Sequence, residues 1–173
     1  MCCSSIVNYN GSIDMQVNLD LSGVEPLHRA VEQLPAAMDD ELRSAADAIG
    51  ERLRKSAVGD APVDMGQLRS DIHHVTEAVA EAVIIVRYGS NVGHAKPMER
   101  GTDPFFPPPD ELRGWAGRVL GDPDLAFVVA RSIADRGLEA REYLANAMES
   151  EWSWIGDRVV TAIKRTFRRV GFA

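Results

Sequence analysis

The sequence predicts an α+β fold, with a long N-terminal helix, a small antiparallel β-sheet bearing a projecting proline-rich loop, and C-terminal helices. Three observations predict it. Between Pro35 and Val58 the apolar positions Met38, Leu42, Ala45, Ala46, Ile49 and Leu53 recur three and four apart, the spacing of one helix face. The run AVIIVRY, residues 82–88, is β-branched and aromatic, the composition of a strand. Beyond the segment HAKPMERGTDPFFPPPDELRGWAGRV, residues 94–119, helical spacing resumes and holds nearly to the end of the chain.

Residues 1–21 are polar and turn-rich, then alternate through MQVNLDL. Met15, Val17, Leu19 and Leu21 fall on one side of the alternation, which predicts a strand: an N-terminal arm or an added edge strand ahead of a single domain over 22–173. Helical spacing takes over at Pro26, a residue that a first turn tolerates. Pro35 is expected to break or kink this helix, because it removes a backbone donor and clashes with the preceding turn. From there a helix over 35–58 has Asp39, Asp40 and Glu41 near its start and Arg52, Arg54 and Lys55 near its end, as the macrodipole prefers. GDAPVDMGQL is a turn, and residues 69–77 and 82–89 read as two strands of a hairpin or meander.

After the prolines, Asp110 is the expected N-cap of a helix through Leu120, with Leu112, Trp115, Ala116 and Val119 on one face. GDPD ends it and starts another that runs to Gly137, with Leu125, Val128, Val129 and Ile133 as the buried stripe. A last helix is expected over 139–169, carrying Tyr143, Leu144, Ala147, Trp152, Ile155, Val159, Ile163 and Phe167. No internal repeat is visible.

Composition narrows the function. A chain of 173 residues can bury roughly 70% of its unfolded surface, enough for a true core. Its net charge of −7 argues against a protein whose main task is gripping phosphate, which needs clustered Lys and Arg. The local exception, Lys164, Arg165, Arg168 and Arg169, reads first as cations at a helix C-terminus. No apolar run approaches the roughly 18 residues of a membrane span, and MCCSSIVNYNGSIDM lacks the basic and apolar regions of a secretory signal. The neighbouring Cys2 and Cys3 cannot staple distant segments. They read as a reduced, loose tip of an intracellular protein, with an acylated anchor as the alternative.

Chemistry-bearing patterns are sparse. His73 and His74 are adjacent in an expected strand and point to opposite faces, and His28 and His94 lie in other elements. Asp64 sits in a turn, where Asx-type hydrogen bonding accounts for it. Glu99 is the acidic residue that stands apart; pairing with a nearby Arg accounts for it, and a general base would need a second positioned group. No nucleophile elbow, Walker loop or dinucleotide fingerprint occurs. Trp152 and Trp154 are two apart, so both cannot face one core from a helix.

The landmarks, in their order, resemble a family of tailed-phage neck components. APVDMGQLRSDI resembles that family's segment after its first long helix, and HAKPMERGT its following Tyr-Ala to Gly-Thr element. PPPDELRGWAGR resembles its proline-led helix entry, and GLEAREYLANAM its closing element, so the likeness spans residues 30–150. Met65 stands where Thr is usual, His94 where Tyr is usual, and Arg100 replaces an aromatic residue.

The resemblance implies a virion protein of a long-tailed phage or related particle, with no catalytic, cofactor or metal site. Copies would form a ring, hexameric or dodecameric, at the head–tail junction, between the head-closure (stopper) protein and the tail terminator. Double-stranded DNA would pass through the lumen without specific binding, and an acidic chain suits that passage. Assembly would take place in the host cytoplasm, away from membranes. Subunit or partner contacts are expected at Glu99, Arg100, Gly101, Thr102, Phe105, Phe106, Trp152 and Trp154. The loop from His94 to Pro109 is expected to project stiffly, its prolines lowering the entropy lost on docking. Two other classes remain open: a small nucleic-acid-binding module using the basic C-terminal helix, and a hydrolase built around Glu99 and a histidine.

Overall fold

The computed structural model describes residues 3–7, 13–17, 24–80 and 83–172. The fold is α+β and mostly helical. Strands β1 (Cys3–Val7) and β2 (Ile13–Val17) form an antiparallel hairpin, with Ser5 opposite Met15. The expected strand over 15–21 thus begins earlier; its positions Leu19 and Leu21 lie outside the described residues.

Helix α1 (Glu25–Asp60) runs for 36 residues, about 54 Å at 1.5 Å per residue. Pro26 sits in its first turn as expected, but Pro35 neither ends nor breaks it. A proline deletes one bond from a long ladder, and here the turns around it are held from outside. Leu34 and Ala37 pack with Ala30 against Val170 from the far end of the chain. Tertiary packing overrides the local breaker. The buried face continues through Ala45, Ala46, Ile49, Gly50, Leu53 and Ala57, mostly small residues that let neighbouring elements approach closely.

Two elements fill that approach. Helix α6 (Tyr143–Arg169) lies antiparallel to α1: Arg52 pairs with Glu151, Thr166 reaches Met38, and Arg169 pairs with Asp40 at 3.2 Å. Strands β3 (His73–Ala80) and β4 (Val83–Gly89) form a two-stranded antiparallel sheet with His74 opposite Tyr88 and Thr76 opposite Val86. His74, Thr76, Ile84 and Val86 share the face turned to α1. Gly50 is required there, because a Cβ would run into the His74 ring. No third strand joins this pair among the described residues.

Residues 69–72, expected to open the first strand, instead close the short helix α2 (Gln67–Asp71). Gly66, at φ 81°, starts that turn, and Leu68 and Ile72 stand four apart so that both are buried. The stretch after β4 also departs from expectation. Helix α3 (Ala95–Arg100) occupies much of what reads as a stiff loop, with Pro97 in a first turn that has no intrahelical bond to lose. Only residues 101–108 remain non-helical between α3 and α4 (Pro109–Val119), whose N-cap is Pro108, not Asp110. Asp110 and Glu111 take first-turn positions that suit the dipole.

A short 3-10 turn, Pro123–Leu125, leads into α5 (Ala126–Arg136). Its buried face is Ala126, Ala130 and Ile133, while Leu125 and Val128 are exposed. The expected stripe is rotated because small residues, not large ones, meet α4. Helix α6 starts at Tyr143, not at 139, since residues before it are committed elsewhere: Leu138 bridges to Thr102, and Glu142 holds a left-handed conformation at φ 50°.

Candidate interaction surface

The segment before Glu99 meets the end of α1 and the start of α6 at one junction. Ala57, Ala61, Leu68, Ile72, Ala95, Tyr143 and Ala147 form its buried cluster, with Tyr88, Met98 and Leu144 packed against it. These residues come from α1, α2, α3 and α6, so the junction ties both ends of the sequence pattern together. Tyr143 is fully buried and its hydroxyl has no partner among the described residues, while Tyr88 donates its hydroxyl to the Leu144 carbonyl at 2.8 Å. Burial, with a further push from Glu99, raises both phenols above their usual range.

Glu99 does not pair with an arginine as expected. Its carboxylate accepts the backbone N–H of Leu144 at 2.9 Å and of Ala145 at 3.1 Å. These are orphan donors of the first turn of α6, so Glu99 caps that helix from a distant element and sets its charge against the positive end of the dipole. Its own carbonyl accepts from Glu142 N–H, and the Met98 carbonyl from Arg141 N–H. The general-base role weighed for Glu99 finds its carboxylate already occupied.

Gly101 and Thr102 are likewise structural. Thr102 N–H donates to the Leu138 carbonyl at 3.0 Å, and Leu138 N–H returns a bond to Thr102 Oγ1 at 3.1 Å. Gly101 and Gly137, at φ 69° and 75°, flank this bridge, and a Cβ on either would collide with the opposite backbone. Arg100 is exposed.

Past the bridge the surface changes character. Phe105, Phe106 and Phe127 are 45%, 54% and 56% exposed, and the Phe106 and Phe127 rings meet edge-on at 6.3 Å. Prolines 104, 107, 108 and 109 fix the backbone around them, with Pro107 buried. The rings form a preorganised aromatic knob, enlarged by exposed Val128. Arg118 of α4 grips Asp64 through two bonds, at 2.8 and 2.6 Å, and holds that carboxyl below its usual range. Phe127 could not be found from periodicity, which placed its helix face one position away.

Trp152 is 68% exposed on α6, whereas Trp154 lies half-buried with the Arg52 guanidinium 4.6 Å from its ring centre. The two therefore face differently, as their spacing requires. The basic residues Lys164, Arg165 and Arg168 are exposed, and Arg169 is engaged with Asp40.

Beside the N-terminal half of α1 an open apolar groove of about 540 Å³ runs between the helix and the tip of β3. Pro35, Ala36, Met38, Ala78 and Val79 line it, and the Asp39–Arg43 ion pair stands at its rim. The histidines do not converge: His73 bonds the Asp71 carbonyl, and His74 lies 3.7 Å from Glu51. Among the described residues no group of three or more His, Cys, Asp or Glu is placed to hold a metal, and no helix is long and apolar enough to cross a membrane.

Compared with protein-family models, curated proteins and solved structures, the chain matches none.

Proposed function

We propose that this chain is a structural ring component of the neck of a long-tailed phage or phage-like particle. In this reading it performs no reaction. Copies surround the DNA path between the head-closure protein and the tail terminator. The observation that carries the reading is the cluster of half-exposed aromatic side chains, Phe105, Phe106 and Phe127, among prolines 104, 107, 108 and 109. A chain of this size cannot encircle a duplex alone, so a conduit needs several copies, and head-to-tail contacts close a ring.

Two further observations support it. Three of the four segments that carry the neck-family resemblance meet at the junction of Ala61, Leu68, Ala95 and Tyr143, so that part of the likeness falls on residues that hold the fold together. The net charge of −7 repels phosphate, which suits a conduit that must release its cargo.

The test is electron microscopy of particles assembled without this protein. Filled or leaking heads beside unattached tails are expected; normally joined particles overturn the reading. The exposed Lys164, Arg165 and Arg168 on α6 keep a nucleic-acid-binding reading in play. Titrating labelled duplex DNA at low salt separates the two: a flat curve is expected, and salt-sensitive micromolar binding favours the alternative.

A further inference from the structure

Helix α6 buries Tyr143, Ala147, Ala162 and Thr166. At about 100° per residue, its outward arc centres on Val160 and runs from Trp152 at one edge to Arg168 at the other, about 160° wide. Trp152, Val160 and Phe167 are exposed there, and within the arc only Ile163 is partly covered. Two features of this arc go unused within one chain. Gly156 weakens the helix that contains it, yet open space lies where its Cβ would stand, so no neighbour in its own chain requires a glycine. The ion pairs of α6 join Glu151 to Arg52 and Arg169 to Asp40, and among the described residues Asp157, Lys164 and Arg168 form none.

We propose that this arc is an isologous contact, the α6 of a second copy lying antiparallel on it about a two-fold axis at Val160. What singles out a second copy is the match between the arc and its own reversal about that residue. Trp152 stands eight positions before Val160 and Arg168 eight after, so each indole meets the other copy's guanidinium. Asp157 lies three before and Lys164 four after, which sets opposite charges together twice across the axis. Phe167, seven after, meets Ser153, seven before, and the bare backbone of Gly156 one turn on. Acid faces base and large faces small only in the antiparallel sense. Parallel copies in register would set Asp157 on Asp157 and Lys164 on Lys164.

The contact goes beyond the neck reading and does not rest on it. An isologous face is used up once two copies meet, so it makes pairs whether or not other surfaces close a ring. From Trp152 to Arg168 the helix rises about 24 Å, a strip that gives less than the roughly 800 Å² per partner of a standard interface. The pair is therefore weak in free solution and is strengthened where copies are already held together.

Charge reversal tests it. Sedimentation of the full chain, with Cys2→Ser and Cys3→Ser to prevent chance disulfides, should show a monomer–dimer equilibrium at submillimolar concentration. Asp157→Lys and Lys164→Asp should each raise the dissociation constant about tenfold, because attraction becomes repulsion at both crossings, and should leave the thermal midpoint nearly unchanged. An equal mixture of the two variants should return to within about threefold of the unsubstituted chain, as a mixed dimer. Orientation is read separately. Ser153→Cys mixed with Arg168→Cys under oxidation should give the mixed disulfide at least about fivefold over either symmetric one. A chain that stays monomeric throughout overturns the proposal, and so do single variants that pair like the unsubstituted chain. A mixture without rescue or a dominant symmetric disulfide overturns it as well, the latter by aligning the helices in parallel.

Discussion

The molecule keeps its aromatic side chains in two opposite situations. At the junction Tyr143 is sealed completely, beneath a helix start that Glu99 caps and a backbone bridge that two glycines make possible. On the knob, Phe105, Phe106 and Phe127 are about half uncovered, with prolines flanking the first two and the Phe106 and Phe127 rings meeting edge-on. Rigidity at the junction stabilises the chain itself, whereas rigidity on the knob lowers the cost of meeting something else. Substitutions should therefore split cleanly: those at the junction act on folding, and those on the knob act on association.

The largest effect is expected at Gly137. Its φ of 75° and the nearby Thr102 carbonyl leave no place for a side chain. Gly137→Val combines backbone strain with a steric collision, and a loss of about 3 kcal/mol or more should appear as a collapse of soluble yield and thermal midpoint. A Gly137→Val protein of ordinary stability would mean that the bridge between Thr102 and Leu138 does not organise the fold.

Tyr143 separates packing from polarity at the same place. Tyr143→Ala removes a fully buried ring and should cost about 3–5 kcal/mol in denaturant unfolding. Tyr143→Phe removes only a hydroxyl without a partner, so it should be neutral or slightly stabilising, within about 1 kcal/mol. A large loss from Tyr143→Phe would place a hydrogen-bond partner at that hydroxyl and change the description of the junction.

These sites also show what a linear pattern can and cannot convey. The long helix, the hairpin of β3 and β4 and the terminal helix are legible because apolar spacing records which face is buried. Pro35 misleads because the signal is local, whereas the packing of Leu34 and Ala37 on Val170 joins residues more than a hundred positions apart. Residues 69–72 mislead because Leu68 and Ile72 need only one helical turn to be buried, too short a stretch for a period to register. Glu99 was legible as unusual but not as a cap, since its partners are backbone N–H groups that no residue type advertises. Phe105 and Phe106 were visible in their setting of prolines. Their neighbour Phe127 was hidden because α5 buries alanines where larger residues were the natural choice.

A smaller effect is expected from the cap. Glu99→Ala leaves the first-turn amides of α6 to water and should cost about 1 kcal/mol, and Glu99→Gln should restore part of that. Hydrogen exchange at Leu144 and Ala145 would locate the loss at the start of α6. An unchanged exchange rate there would break the link between α3 and the junction.

Acid offers a gentler probe of the surface that surrounds both regions. Arg54, and with it Lys55, holds Glu51 down to about 2, against opposing desolvation; Arg118 lowers Asp64, and bonds from Ser90 and Asn91 lower Asp71. A carboxyl depressed in the folded chain binds its proton more readily when unfolded, so its contribution is present above the ordinary carboxylate range and is lost as pH falls towards the folded value. Stability should thus decline progressively from about pH 4.5 to about pH 2. Asp64→Asn should flatten part of that decline, and added salt should weaken it, since these groups lie at the surface. If knob-mediated association fell over the same pH range while the folded fraction stayed constant, the Arg118–Asp64 link would be steering the α4–α5 unit. The separation between a folding junction and an associating knob would then be incomplete.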